Sequence, residues 1–129
     1  MDHDISLTQA EWEVMECLWE ESPLTGREVT QHMQQRCGWS RSTTLTLLGR
    51  LEAKGAVKST AEEIGPKVFS PLLAREDAAL RETEDFLSRV YHGSLSLMVS
   101  ALTRKQALSQ QEQDELYELL KGLEAERHD

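Results

Sequence analysis

The sequence predicts a mainly α-helical chain with one small β-hairpin, and three observations lead to this fold class. Three segments pair a Ser or Thr with a Glu three residues later, which is the capping box that begins many helices: Thr8–Glu11, Thr25–Glu28 and Ser109–Glu112. Apolar residues after each box recur at intervals of three and four, as on one face of a helix. Residues 56–72 instead hold two short runs with β-branched residues around a Gly-Pro turn, which is typical of a hairpin.

The first half of the chain predicts three helices joined by short turns, over about 8–21, 25–36 and 40–54. In the first helix Trp12 and Trp19 share the apolar face, so we expect them to pack in the core rather than against bases. Two strands are predicted to follow, over 56–61 and 67–72. Three short helices followed by a two-stranded wing form a winged helix-turn-helix domain, which we expect over residues 1–74.

The third predicted helix has the character of a DNA-recognition helix. Its leucines Leu45, Leu48 and Leu51 repeat at helical spacing and indicate a buried stripe. Its other positions carry hydroxyl and guanidinium groups, which suit phosphate oxygens and base edges. The predicted DNA-binding residues are Arg41, Thr43, Thr44, Thr46 and Arg50, with Ser42 and Lys54 as contacts to the DNA backbone or as solvated residues. Either arginine is able to read guanine, and Arg50 is equally suited to a phosphate.

The distribution of charge supports this hypothesis although the whole chain is acidic. Residues 22–61 carry six basic and two acidic side chains, a net charge of +4, so the remainder of this −9 chain carries −13. Phosphate attraction decays over a Debye length of about 10 Å at moderate salt, so the local sign decides. Glu62 and Glu63 lie at the predicted tip of the wing and would repel phosphate. We therefore expect the wing tip to add little to DNA affinity.

From residue 75 onward the chain predicts helices alone, with a break at His92-Gly93. Their apolar stripes are too extensive to be buried against each other and one small winged domain. A second copy of the chain is the expected partner, which makes residues 75–129 a three-helix homodimerisation domain. The residues expected at the dimer interface are Phe86, Leu87, Val90, Tyr91, Leu95, Met98, Leu102, Leu116, Leu119, Leu120 and Leu123.

Several functional classes find no support in the sequence. The chain begins with an acidic, polar segment and has nothing close to the roughly 20 apolar residues that span a bilayer. We therefore expect a cytoplasmic protein without membrane insertion, in which Cys17 and Cys37 are reduced thiols. No His or Cys pair has zinc-finger spacing, and neither a Gly-rich phosphate loop nor a nucleophile elbow occurs. The sequence predicts no metal, no cofactor and no enzymatic activity.

Two segments carry a resemblance to a known family. The A-E-W-E-V-M block at residues 10–15 and the F-L-x-R-x-Y-x-G-x-L block at residues 86–95 resemble the penicillinase and methicillin-resistance repressors of bacteria (BlaI/MecI type). The resemblance covers nearly the whole chain. It implies a dimeric winged-helix repressor on a palindromic operator of double-stranded DNA, in the setting of antibiotic resistance. It also implies release when a membrane-bound sensor protease, or a protease that the sensor triggers, cuts between the two halves.

The chain departs from the family at the position of this cut. Well-known members are cut at an Asn-Phe bond, whereas the matching pair here is Ala101-Leu102, which makes this pair the candidate cleavage site. Either cleavage has another specificity, or induction works in another way. A copper-sensing branch of the family ends in Cys-x-Cys motifs. Because no cysteine follows Cys37, copper sensing is not expected.

Together these patterns predict a transcriptional repressor that binds a palindromic operator as a homodimer and is derepressed by proteolysis or by disruption of the dimerisation domain. Two alternatives stay open. In the first, the chain is a protein-docking module whose acidic helices bind a basic partner. In the second, a small effector in the dimer interface controls DNA binding. A strong dependence of affinity for duplex DNA on salt would argue against the first alternative.

Overall fold

The computed structural model describes residues 4–61, 63–105 and 107–127, and for residues 123–127 it describes the backbone but not the side chains. The elements, in chain order, are α1 (Gln9–Glu20), β1 (Leu24–Thr25), α2 (Gly26–Cys37), α3 (Arg41–Lys54), β2 (Val57–Thr60), β3 (Val68–Pro71), α4 (Arg75–Tyr91), α5 (Leu95–Arg104) and α6 (Gln110–Arg127). The predicted fold class is confirmed. The chain divides into two compact units, residues 1–83 and 84–129.

All three predicted capping boxes are present, and each begins a helix. At α1 the Thr8 hydroxyl accepts a hydrogen bond from the Glu11 backbone N–H at 3.1 Å, while the Glu11 carboxylate accepts one from the Thr8 N–H at 2.8 Å. Thr25 begins α2 and Ser109 begins α6 in the same manner. These local bonds satisfy amides that have no partner within the helix. The helix starts therefore lie within a residue or two of the predicted positions.

Helices α1, α2 and α3 bury their apolar faces against one another in the first unit. The largest fully buried apolar side chains are Met15, Leu18, Met33, Leu48, Leu51 and Leu73. Trp12 and Trp19 are half-buried against this core, with their rings edge to face at 5.1 Å, as the sequence predicted. The indole N–H of Trp19 also donates to the carbonyl of Leu73 at 2.8 Å.

The sheet has one strand more than the predicted hairpin. Strands β2 and β3 pair antiparallel as expected, and β1 adds to the other side of β3, where Leu24 faces Phe69. The strand order is therefore β1-β3-β2. A two-residue strand has no periodicity of its own, so nothing local predicts β1. Its pairing attaches the turn before α2 to the wing.

The first turns of α4 pack on α1. The Arg75 guanidinium donates to the Glu16 carboxylate at 3.0 Å and lies 5.8 Å and 5.9 Å from the ring centroids of Trp12 and Trp19. This bond from Arg75 lowers the pKa of Glu16, against the opposing effect of burial. Ala78, one turn further on, is buried. The start of α4 is thus part of the first unit.

In the second unit α4 ends at the predicted break, where His92 and Gly93 take left-handed φ angles of 53° and 82°. Helices α5 and α6 follow, with residues 105–109 between them. Over the described ranges, no helix combines the length and the hydropathy needed to cross a bilayer. The same residues contain no group of three His, Cys, Asp or Glu side chains arranged to hold a metal ion.

Candidate DNA-binding surface

Helix α3 presents two contrasting faces. Its inner face packs in the core through Leu47, Leu48 and Leu51. Its outer face is made of small exposed residues at spacings of four, three and four, which places them in one line along the helix: Ser42, Thr46, Gly49 and Ala53. Small side chains leave the backbone of α3 accessible along this outer line.

Arg41 and Arg50 lie on opposite edges of the outer line. Arg41 shares its edge with Leu45, four residues further on, and this edge faces α2 and the wing. Arg50 shares the other edge with Thr43, two helical turns before it. Arg41, Ser42, Thr43, Thr46 and Arg50 are all exposed, as DNA contact requires. Leu45, predicted to lie in the buried stripe, is half-buried. Leu47, which was not part of that prediction, is buried instead.

Thr44 does not belong to this surface, and the prediction that it contacts DNA is wrong. Its side chain is 0 % exposed, and its hydroxyl donates to the backbone carbonyl of Ser40 at 3.1 Å. Thr44 precedes Leu47 and Leu48 by three and four residues, so it continues the buried stripe. The carbonyl bond satisfies its hydroxyl, which allows a polar residue type at a core position.

Lys54 also forms contacts within the domain. Its ammonium donates to the Glu11 carboxylate at 2.6 Å and to the backbone carbonyl of Ser6 at 2.8 Å. Glu11 is only 1 % exposed. Burial tends to raise the pKa of Glu11, but the bonds from Lys54 and Thr8 outweigh burial and lower that pKa below its ordinary value. Lys54 thus joins the end of α3 to the start of α1, and its role as a DNA-backbone contact or a solvated residue stays a prediction.

The basic side chains of the first unit fall into two groups according to their partners. Those that form ion pairs with carboxylates are Arg36, Lys54, Arg75 and Arg81. Those that form no ion pair with any described residue are Arg27, Arg41, Arg50, Lys58 and Lys67. Of this second group, Arg41 and Arg50 lie on α3. Their charges remain available to an external anion.

A cleft of about 440 Å³ opens beside the start of α3, between α2 and the wing. Its lining includes three basic side chains, Arg27, Arg41 and Lys67, together with the apolar Leu45 and Phe69. In the sequence, Arg27 is one of the six cations of residues 22–61 and has no predicted role, and Lys67 lies outside that basic segment. Only the folded arrangement brings these three cations to one place.

Comparison with known proteins gives consistent matches over most of the chain. Residues 7–122 match the penicillinase repressor family. The penicillinase repressor of Bacillus licheniformis is 33% identical over 114 residues, which cover 88% of each chain. The methicillin resistance regulatory protein MecI of Staphylococcus aureus is 29% identical over 116 residues, which cover 88% of this chain and 92% of that protein.

The first unit also resembles a solved structure. The solution structure of the DNA-binding domain of the repressor BlaI aligns with a TM-score of 0.51 and 32% identity, over 57% of this chain and 88% of that domain. This likeness confirms the predicted winged-helix architecture, and the family match confirms the predicted family and the absence of an enzymatic role. The chain belongs to the penicillinase repressor family and is a DNA-binding transcriptional regulator.

Proposed function

We propose that this protein represses transcription by binding a palindromic operator as a homodimer, with α3 in the major groove, and that proteolysis or disruption of its second unit releases the DNA. The main support for this proposal is the outer face of α3. There a line of small residues is bordered by two arginines that have no ion-pair partner among the described residues. A cytoplasmic site of action and a role in antibiotic resistance follow from the same proposal.

In this proposal the base edges are contacted by the outer line of α3 and by the edge of α3 that carries Arg50. The guanidinium of Arg50 has the fork geometry that binds guanine O6 and N7 together, and the methyl group of Thr46 suits a thymine methyl. Ser42 and Gly49 allow the helix backbone to come close to the base edges. Thr43 borders the same edge as Arg50 and supplies a further hydroxyl.

The case for a homodimer rests on the unburied apolar side chains of the second unit. None of the described side chains between residues 84 and 122 is buried, and exposed ones include Phe86, Val90, Leu95, Leu119 and Leu120. The other predicted interface residues with described side chains are half-buried: Leu87, Tyr91, Met98, Leu102 and Leu116. The side chain of Leu123 lies outside the described residues. Apolar surface of this extent is typical of an interface.

The second copy is expected to cover a broad apolar cleft between α5 and α6. This cleft measures about 1100 Å³ and its apolar lining comprises Leu95, Leu116, Leu119 and Leu120. A two-fold dimer would present two copies of α3 to successive major grooves, about 34 Å apart. Because the second half-site then binds within the same complex, the avidity rises without any new contact.

The proposed release mechanism concerns the Ala101-Leu102 pair, which lies inside α5 and is half-buried. The carbonyl of Ala101 accepts a hydrogen bond from the Lys105 N–H at 3.2 Å, and that of Leu102 accepts one from the Ala107 N–H at 2.9 Å. Both carbonyls are therefore engaged in the folded chain. A cut at this bond requires the last turn of α5 to unwind first, so it would couple cleavage to loss of the dimer surface.

Selection from a pool of random duplex DNA tests the proposed function. The full-length protein is expected to retain a palindrome whose half-site centres are about 10 base pairs apart, or a multiple of one helical turn. Sequencing the retained duplexes then supplies the operator. If an intact dimer enriches no sequence even at low salt, the repressor proposal fails and the protein-docking alternative takes its place.

The substitution Gly49→Ala is expected to affect folding and DNA binding in opposite directions. A Cβ at this position meets nothing within 4 Å, and the position lies in the interior of α3, so alanine should stabilise the fold by about 0.5–1 kcal/mol. The added methyl group stands on the outer line and holds the helix away from the bases. We expect operator affinity to fall about tenfold, the size of one lost base contact.

Thermal unfolding and operator titration of the same Gly49→Ala preparation separate the two effects. The midpoint of unfolding should rise by a few degrees while the dissociation constant increases. Unchanged operator affinity in the stabilised variant would mean that α3 does not approach the DNA along this line.

A further inference from the structure

We propose that the cleft at the start of α3 is a phosphate-binding site, which holds one phosphodiester of the operator backbone through Arg27, Arg41 and Lys67. Arg41 then positions the protein on the DNA and does not read a base. This inference rests on the proposed function, since it assigns the parts of the same DNA-binding surface.

The lining of the cleft has the chemistry that a phosphate needs. The three cations come from three parts of the chain: Arg27 from α2, Arg41 from α3, and Lys67 from the residue just before the wing strand β3. No carboxylate belongs to the lining. The apolar side of the cleft, formed by Leu45 and Phe69, lowers the local dielectric and strengthens the attraction of these cations for an anion.

The carboxylate of the adjacent helix turn is already occupied by its own cap. Glu28 accepts a hydrogen bond from the Thr25 backbone N–H at 2.8 Å, and its N–H donates to the Thr25 hydroxyl at 3.1 Å. The hydrogen bonds from the Thr25 backbone and side chain lower the pKa of Glu28. Glu28 therefore serves the start of α2, and no ion pair with a described residue neutralises Arg27 or Arg41.

The position of Arg41 on α3 explains why it takes the phosphate and Arg50 takes a base. Arg41 lines the cleft together with Leu45, one turn further on, and thus lies on the edge of α3 that faces α2 and the wing. The outer line begins one residue later, at Ser42. Arg50 lies on the opposite edge and is not part of the cleft.

Lys67 makes the base of the wing, rather than its tip, the part that contacts DNA. Its ammonium lies 5.5 Å from the centroid of the Phe69 ring, a cation–π contact that holds the charge beside the cleft. Toward the tip, Glu63 is exposed and acidic, and Glu62 lies outside the described residues. The predicted weakness of the wing tip is compatible with a contact at the base of the wing.

The test compares salt dependence for three cleft variants and one matched control. Arg27→Gln, Arg41→Gln and Lys67→Gln each remove one cation of the cleft. Lys58→Gln removes an exposed cation of β2 that forms no ion pair with a described residue and does not line the cleft. Each protein is titrated with the selected operator and with an unrelated duplex over a series of potassium chloride concentrations.

Each cleft variant is expected to reduce the slope of log affinity against log salt by about one per protomer. It should also lower the affinity for the operator and for the unrelated duplex by the same factor. Arg41→Gln should leave the preference for every operator base pair unchanged. Lys58→Gln should leave the slope at its wild-type value. Equal thermal unfolding midpoints, expected for these exposed positions, show that the variants remain folded.

Three results would overturn the inference. The first is a loss of preference at one operator base pair in Arg41→Gln with an unchanged slope, which would make Arg41 a base reader. The second is an equal loss of slope in Lys58→Gln, which would attribute the effect to total charge. The third concerns inorganic phosphate, added at constant ionic strength as a competitor of the operator. If Lys67→Gln abolishes this competition but keeps the wild-type salt slope, the cleft holds a free anion and not a phosphodiester of the DNA.

The failure of this inference can be distinguished from the failure of the proposed function. If the wild-type protein selects no duplex at all, the repressor proposal itself is contradicted. If the wild-type protein selects an operator and the three cleft variants retain its slope, only the phosphate site is contradicted.

Discussion

Replacing Leu119 by Asp is expected to produce a folded monomer that binds the operator about 100- to 1000-fold more weakly than the dimer. The side chain of Leu119 is 67 % exposed in the single chain, so the fold of the protomer does not depend on it. In the proposed dimer it becomes buried, where a carboxylate without a partner is strongly unfavourable. The loss of affinity follows because two linked half-sites gain 10²- to 10⁴-fold in avidity.

Analytical ultracentrifugation gives the oligomeric state of Leu119→Asp, and titration with the selected operator gives its affinity. Lys121→Asp is the matched control, since it places a carboxylate on α6 at an exposed position that does not line the apolar cleft between α5 and α6. The control should remain a dimer. A Leu119→Asp monomer with wild-type affinity would refute the avidity argument, and a persistent dimer would place the interface elsewhere.

Replacing Glu11 by Ala is expected to lower the free energy of unfolding by about 2–3 kcal/mol. The change removes one half of the capping box of α1 and leaves the Lys54 ammonium without its carboxylate. Loss of a cap typically costs about 1 kcal/mol, and breaking a buried ion pair costs up to 5 kcal/mol. The expected loss is smaller than the sum because Lys54 is 36 % exposed and recovers part of its hydration. Chemical denaturation monitored by circular dichroism gives the value.

The same carboxylate makes stability depend on pH in a defined direction. Because bonds from Lys54 and Thr8 hold the folded-state pKa of Glu11 below 4.5, the unfolded chain binds its proton more readily than the folded one. The contribution of Glu11 is therefore fully present above about pH 4.5 and is lost as the pH falls through the lowered folded-state pKa.

Thermal unfolding of the wild-type protein and of Glu11→Gln between pH 7 and pH 3 isolates this contribution. The difference between their midpoints should shrink at acidic pH, because the other carboxylates of lowered pKa, Glu16, Glu28 and Glu112, are common to both proteins. A constant difference over the whole range would mean that the charge of Glu11 does not stabilise the fold.

The features that the sequence predicts well depend on neighbours within one helical turn. The capping boxes at Thr8, Thr25 and Ser109 involve residues three positions apart, so their hydrogen bonds are visible in the residue pattern itself. The break at His92-Gly93 is likewise local. Strand β1 is different, because Leu24 is in a strand only through its pairing with Phe69, which is distant in the sequence.

The DNA-binding surface divides in the same way. The residue types of α3 indicate its function. Thr44 was predicted to contact DNA because of its hydroxyl group, but its spacing relative to Leu47 and Leu48 places it in the core. Lys54 carries the expected charge, but its buried partner Glu11 lies near the start of the chain. The cleft formed by Arg27, Arg41 and Lys67 exists only after α2, α3 and the wing have packed together.

The edge-to-face pair of Trp12 and Trp19 has a spectroscopic consequence. These two residues and Trp39 are the three tryptophans of the chain, and all three belong to the first unit, whereas Tyr91 and Tyr117 belong to the second. Indole emission thus reports on the DNA-binding unit, and tyrosine emission excited at shorter wavelength carries the signal of the other unit. Because the guanidinium of Arg75 lies over both rings of the pair, we expect undocking of the start of α4 to change the emission even while the core stays folded. Tryptophan fluorescence therefore reports on the docking of the start of α4 without an added label.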